Sequence, residues 1–214
     1  MRARFTTDEI GQCALRIVQH DGVAALSMRA VAAQLGTGPM TLYNYVNGRE
    51  GLEDLVVDAV IGSVTLPEPT DDWRNDVTAT ATALWEVLRA HPNAVPLVLT
   101  RRSVSASAYA PAEQLIVALS RSALSARDVL VAFRAIIALV TGSAQAEFAG
   151  LVAGTTAHDD ANTAGAARIN KLAGDDYPGI AALAKVSQQS TAAAEFHRSL
   201  EFLLLGLAAA ERRN

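Results

Sequence analysis

SMRAVAAQLGTGPMTLYNY, residues 27 to 45, reads as a short helix, a glycine-bracketed turn and a second short helix ending in aromatics. Ser27 is a good N-cap, since its hydroxyl can accept one of the orphan amide hydrogens that open a helix. Val31, Ala32 and Leu35 then recur at helical spacing over Met28 to Leu35. Gly36 can adopt the left-handed conformation that ends a helix, and Gly38-Pro39 reopens one because proline's fixed φ suits a first turn. The next helix is expected over roughly Pro39 to Tyr45. There Leu42 and Val46 share one face and Thr41, Tyr43, Asn44 and Tyr45 occupy the others.

An ordinary helical hairpin with Tyr43 and Tyr45 half-buried would use the same run, so the flanking segments decide the reading. Thr7 to Asp21 makes a preceding amphipathic helix with Ile10, Ala14, Ile17 and Val18 on one side, capped by Thr6 or Thr7. Arg49 to Ile61 makes a following helix with Leu52, Leu55, Val56 and Ala59 on one side. Three helices around a small core, the third held outward, is the helix-turn-helix arrangement.

The run from Leu35 to Leu52, LGTGPMTLYNYVNGREGL, resembles the signature of the tetracycline-repressor family: a leucine-glycine turn, threonine-leucine-tyrosine, a further aromatic, then a basic residue and a leucine. The match is close over the N-terminal quarter and architectural beyond it. The resemblance implies that Thr41 and Arg49 grip phosphates, that Tyr43 and Tyr45 lie against the DNA, and that Arg29, Pro39 and Met40 face base edges. It places Thr37 and Asn44 in the same DNA-binding set. The family usually carries lysine near the end of the signature, where this chain has Asn47-Gly48-Arg49; arginine there would hold phosphate as a fork. Residues 1 to 50 hold five arginines (2, 4, 16, 29 and 49) against Asp8, Glu9, Asp21 and Glu50, so non-specific DNA affinity should be modest. Arg2 and Arg4 either add phosphate or minor-groove contacts as an N-terminal arm or do nothing.

A chain of 214 residues, 50% hydrophobic with net charge −4, is long enough for one or two domains with a real core and is no polybasic coat. Its lone cysteine, Cys13, excludes an intramolecular disulfide, suggests a reducing compartment and fits core filling. Met1 to Ile10 lacks an apolar signal region, and the apolar run Phe202 to Ala210 is far short of the roughly 20 residues of a membrane helix, so a cytoplasmic, nucleoid-associated protein with no membrane partner is expected. No alternating strand pattern appears, which makes the fold class all-α: a DNA-binding domain with its connecting helix over 1–64 and a helical effector-binding and dimerisation domain over 65–214. The boundary falls at Pro67 and Pro69, after which Asp71 or Asp72 can cap a helix to His91. Shorter helices follow to about Arg102 and over Ala110 to Ser122, then a long one capped by Ser125 with Asp128 behind it, to about Ala153. An irregular stretch from Gly154 to Pro178, with a short helix near Arg168 to Leu172, precedes helices near Gly179 to Gln188 and Thr191 to Arg212.

Along the long helix Ala138, Gly142, Ala146 and Gly150 recur every four residues, a ridge against which a second helix can come close. The last helix presents Phe196, Leu200, Leu203, Leu204 and Leu207 at steps of three and four. These two helices are expected to dimerise as a four-helix bundle, where the family also puts its dimer; the competing use of both faces is packing within one subunit. A dimer would set two recognition helices on half-sites about 34 to 36 Å apart. For the effector, Arg134, Thr141 and Gln145, continuing a stripe from Arg127, are candidates to line a mostly apolar cavity beside Ile137 and Phe148, with Trp85, Thr82 and Tyr109. The competing reading of that stripe is interhelical hydrogen bonding or solvent exposure.

His158-Asp159-Asp160 reads as a solvated loop, not a metal site, since three adjacent residues rarely converge on one ion. His91 is left open between capping a helix and touching a ligand. Ser103, Ser105 and Ser107 lack a paired histidine or a nucleophile elbow, and no phosphate-binding glycine loop appears, so neither an enzyme nor a cofactor is indicated. The reading is a homodimeric, ligand-responsive transcriptional repressor released from a palindromic double-stranded DNA operator by an unidentified small molecule. Its rival is a helical small-molecule-binding protein or enzyme with a non-functional helix-turn-helix.

Overall fold

The computed structural model describes residues 5–101, 105–152, 165, 167–169, 171–172 and 176–211. Arg2, Arg4, Ser103 and the His158–Asp160 run lie outside them.

Helix α1 (Thr7–Asp21) opens on a reciprocal cap: Thr6 Oγ1 accepts from the Glu9 N–H at 3.1 Å while the Thr6 N–H donates to Glu9 Oε2 at 2.8 Å. A single 3₁₀ turn, Val23–Ala25, leads to α2 (Met28–Gln34), where Ser27 Oγ accepts from the Ala30 N–H at 3.1 Å. Gly36 follows at φ +62°, a conformation that carries a Cβ penalty for any other residue. Helix α3 (Pro39–Leu42) is shorter than the Pro39 to Tyr45 span expected. Its continuation tightens into turns, with the Tyr45 and Asn44 N–H groups donating three residues back to Leu42 and Thr41. Helix α4 (Gly48–Ile61) then starts from Gly48 at φ +65°.

These elements enclose a core of Ile10, Ala14, Ile17, Val18, Val31, Leu42, Leu52 and Val56, all buried, with α1 laid along α4. Cys13 belongs to it. Burial pushes its thiol above the ordinary range, offset in part by Arg16, and its Sγ donates to Gln34 Oε1 at 3.2 Å, so it fills space and is a poor nucleophile.

Helix α4 also buries Val57 and Val60, and it packs both on α1 and on the two α-helices that follow it. After it come α5 (Trp73–Ala90, capped by Asp72), the 3₁₀ turn Pro92–Ala94, α6 (Val95–Thr100), α7 (Ala110–Ser120) and α8 (Ala126–Val152). Residues 165, 167–169 and 171–172 are helical; α9 (Pro178–Ser187) and α10 (Ala192–Glu211) end the described chain. Helix α5 packs on α7 and α8, and α10 packs on α8. Among the described residues there is no strand.

Helix α8 decides how the larger domain is used. Ala132, Ile136, Val140 and Ala144, four residues apart, are its buried row. The row displaced by two residues, Leu130, Arg134, Ala138, Gly142 and Ala146, lies about 200° away and is exposed. Over Ala126–Glu147 this helix is long and apolar enough, at mean hydropathy 1.7, to cross a membrane by length and composition alone, and only 22% of the window is buried. It is therefore an apolar rod with one side covered.

Candidate DNA interface and effector site

Leu42, fully buried, anchors α3 and turns the rest of the segment outward. Met40 is 76% and Tyr43 53% exposed, with Arg29 and Asn44 exposed beside them and Thr37, Pro39 and Thr41 partly covered. Met40 and Tyr43 thus stand clear of the core on the outward side of this turn. Tyr45 differs: it is half-buried, its hydroxyl accepts from the Phe5 N–H at 3.3 Å, and its ring meets Phe5 edge-on. Its visible work is to tie the start of the chain to the end of the α3 turn.

Arg49 is half exposed and already engaged. Its Nε donates to Glu53 Oε1 at 2.8 Å and its NH2 to the Val23 carbonyl at 3.0 Å. The other Glu53 oxygen takes Arg101 NH2 at 2.5 Å, and Arg101 NH1 reaches Asp54 Oδ1 at 3.0 Å. Arg101 is held above arginine's ordinary range first by its hydrogen bond to Asp54, opposed by burial and aided by the charges of Glu53 and Asp54. The four-residue spacing of Arg49 and Glu53 was readable as a helix pair, but nothing in the sequence pointed to Arg101. A second link between the domains joins α1 to the turn after α5: Gln19 Nε2 donates to His91 Nδ1, and Asn93 donates to the Gln19 carbonyl at 2.9 Å. Burial lowers the His91 pKa, and the residue both closes α5 as its C-cap and meets α1 through Gln19.

In the larger domain Trp85, 2% exposed, is stacked on Phe196 at 4.5 Å with the rings 5° from parallel; the Arg89 guanidinium covers its ring at 4.5 Å. Arg89 is bound to Glu147 through Nε at 2.6 Å and NH2 at 2.8 Å. Trp85 Nε1, Thr82 Oγ1 and Thr80 Oγ1 are buried without a hydrogen-bond partner among the described residues. Of the residues expected to line an effector cavity, Trp85 is buried and the Thr82 hydroxyl is covered.

The others require correction. Arg134 and Gln145 are exposed on the outer side of α8, Tyr109 is 58% exposed, and the Thr141 hydroxyl donates to its own helix at Ile137 O, 2.8 Å away. For Arg134 the reason is periodicity: it belongs to the same outer row as Ala138, Gly142 and Ala146, opposite the buried row. Phe148 and Gly150 continue the helix, and their side-chain environment lies outside the described residues.

The expected dimer surface divides in the same way. Ala138, Gly142 and Ala146 are open, and a Cβ added at Gly142 would meet nothing within 4 Å. Phe196, Leu200 and Leu204 are not available to a partner: α10 buries them within the subunit, with Leu203 and Leu207 half-buried beside them. The apolar residues that α10 exposes are Phe202 and Leu205, 59% and 58% accessible, on its opposite side. An open groove of about 450 Å³ between α7 and the start of α8, lined by Ile116, Leu124, Val129, Leu130 and Phe133, extends the outer row. Among the described residues no three His, Cys, Asp or Glu side chains converge as a metal site.

Residues 66–210 match the tetracyclin repressor-like, C-terminal domain family. The whole chain is 34% identical over 207 residues to an HTH-type transcriptional regulator of Saccharopolyspora erythraea, covering 96% of this chain and 85% of that one. Over 145 residues it is 32% identical to the HTH-type transcriptional repressor DrrR1 of Streptomyces coeruleorubidus, 67% of this chain and 54% of the other. Its fold matches apo ActR of Streptomyces coelicolor with a TM-score of 0.81 at 25% identity, covering 100% of this chain and 99% of that one. ActR in complex with actinorhodin gives 0.81 at 26% identity, with 98% and 99% covered. The helix-turn-helix geometry and these likenesses agree: the chain belongs to the tetracycline-repressor (TetR) family of helix-turn-helix transcriptional regulators.

Proposed function

We propose that the protein is a homodimeric repressor that holds a palindromic operator until a small molecule enters its larger domain. The observation that carries the DNA-binding half is the exposure of Met40 and Tyr43 on a turn anchored by the buried Leu42. On this reading Met40, Pro39 and Arg29 meet base edges, Thr37, Thr41, Tyr43, Asn44 and Arg49 meet the backbone, and Tyr45 holds the turn in place with one ring edge toward the DNA. Dimerisation uses the open row of α8 and the outer side of α10, Phe202 and Leu205, since an uncovered apolar rod of this length favours association.

The effector binds beside Trp85 and Thr82, whose buried donors lack partners, and it carries oxygen acceptors for them. That ActR has been solved in complex with actinorhodin and with (S)-DNPA supports a small-molecule ligand here. Binding need only favour one state: a differential affinity of about 100-fold shifts the operator equilibrium by roughly 2.7 kcal/mol.

The test is selection of DNA from a randomised pool by the purified protein at near-physiological salt. The expected product is a palindrome with half-sites about one helical turn apart, lost in the Tyr43→Ala, Arg49→Ala variant while sedimentation still shows a dimer. Sequence-blind binding, or none, would refute the reading.

A further inference from the structure

Glu53, only 9% exposed, lies in the second turn of α4 with both carboxylate oxygens occupied. One takes Arg49 and the other takes Arg101. Arg101 is the residue that closes α6, and it also grips Asp54 and the Glu50 carbonyl, so the larger domain reaches into the first turns of α4 through a single guanidinium. A nearly buried carboxylate is thereby shared between a cation on the DNA side and a cation delivered by the effector side.

We propose that Arg101 is a positioning residue for DNA binding, neutralising Glu53 and Asp54 so that Arg49 can offer its remaining N–H groups to a phosphate. The inference rests on Arg49 being a phosphate contact, as read above. Arginine has five N–H donors; Arg49 spends one on Glu53 and one on Val23, which leaves three on its exposed edge for a forked contact. With Arg101 in place the set Arg49, Glu53, Arg101 and Asp54 is neutral. With Arg101 removed it carries one net negative charge beside the DNA backbone. Glu53 then holds Arg49 as its sole cation, and this edge repels phosphate. Displacement of α6 by a ligand would have the same effect, so the link converts a movement of one helix end into a change of sign at the DNA surface.

A unit charge roughly 8 Å from a phosphate, at an effective dielectric between that of a protein surface and water, is worth about threefold in affinity per half-site, hence about tenfold for a dimer on two half-sites. The test is fluorescence anisotropy on a duplex selected by the wild-type protein, at two salt concentrations. Arg101→Gln should bind about tenfold more weakly, with the deficit shrinking as salt rises, whereas Arg101→Lys should stay close to wild type. Adding Glu53→Gln to Arg101→Gln removes the stray charge but keeps an acceptor for Arg49 Nε, and should restore most of the affinity. A clasp that only holds the domains together predicts the reverse for the double variant, a further loss. Wild-type affinity in Arg101→Gln, or a double variant weaker than the single, overturns the proposal. Failure of the wild-type protein to select any duplex would instead refute the DNA-binding reading, and the role of Arg101 with it. Matching circular dichroism and melting temperatures across the variants exclude unfolding as the cause.

Discussion

Replacing Phe196 by alanine separates the subunit core that α10 helps to build from the dimer surface proposed for its outer side. Phe196 is 1% exposed, and its ring lies 4.5 Å from that of Trp85 and nearly parallel to it. Truncating a buried phenylalanine costs about 3 to 5 kcal/mol through lost transfer energy and the cavity left behind, and a ring pair of this kind accounts for about 1 kcal/mol of that. At about 2 to 4 °C per kcal/mol for a chain of this size, a loss of about 4 kcal/mol lowers the melting temperature by roughly 8 to 16 °C. Urea unfolding followed by tryptophan fluorescence should show the loss at every protein concentration, because the contact is internal to the subunit. Sedimentation between nanomolar and micromolar protein should leave dimer dissociation within about threefold. Leu205→Glu provides the converse: at 58% exposure it should cost the subunit under about 0.5 kcal/mol and weaken association strongly. If Phe196→Ala instead weakened the dimer tenfold and left the subunit's own stability unchanged, the placement of α10 would be wrong.

Gly36→Ala puts a Cβ on a residue at φ +62° and should destabilise the fold by about 1 to 2 kcal/mol in thermal unfolding, although the new methyl has open space around it. Thr80→Val removes a fully buried hydroxyl that lacks a partner and should raise stability by about 1 kcal/mol, measured by urea denaturation; a loss would mean that the hydroxyl is bonded in solution. Burial raises the Asp76 pKa, but hydrogen bonds from the Thr70 hydroxyl and backbone together with Arg121 outweigh it and hold the carboxyl below the ordinary range. A lowered carboxylate stabilises the fold above its unfolded pKa of about 3.9, and that contribution disappears as pH falls through the folded value. Asp76→Asn should therefore flatten the acid limb of a melting-temperature profile below about pH 4, and an unchanged limb would remove Asp76 from the account.

The smaller domain was readable because local rules and core demands agree there. Thr6, Ser27, Gly36 and Pro39 punctuate the chain by backbone chemistry alone, and Leu42 was the obvious anchor of the third helix. The end of that helix was not readable, since Tyr43 to Tyr45 are compatible with either a further α-turn or the tighter turns observed. In α8 the periodicity was correctly seen, but its phase was ambiguous: small residues occupy both the buried and the open row, so composition could not say which side faced inward. The same ambiguity misplaced Phe196, because α10 is apolar on two sides and a greasy face predicts burial without naming the partner. Arg101 escaped notice for another reason. It makes its contacts with residues some fifty positions away, and no local pattern encodes such a meeting.

The brevity of α3 limits the information each subunit can extract from DNA. A single turn presents two or three side chains to base edges, and each good contact discriminates by about 1 to 3 kcal/mol. A half-site read this way is only a few base pairs long, and sequences that short recur by chance throughout any genome. For the homodimer proposed above, selectivity would then come from requiring two half-sites at one spacing and orientation, and from how readily the DNA between them deforms. The vocabulary of such a regulator lies in its spacing as much as in its letters, so promoters that match one half-site well should still be ignored.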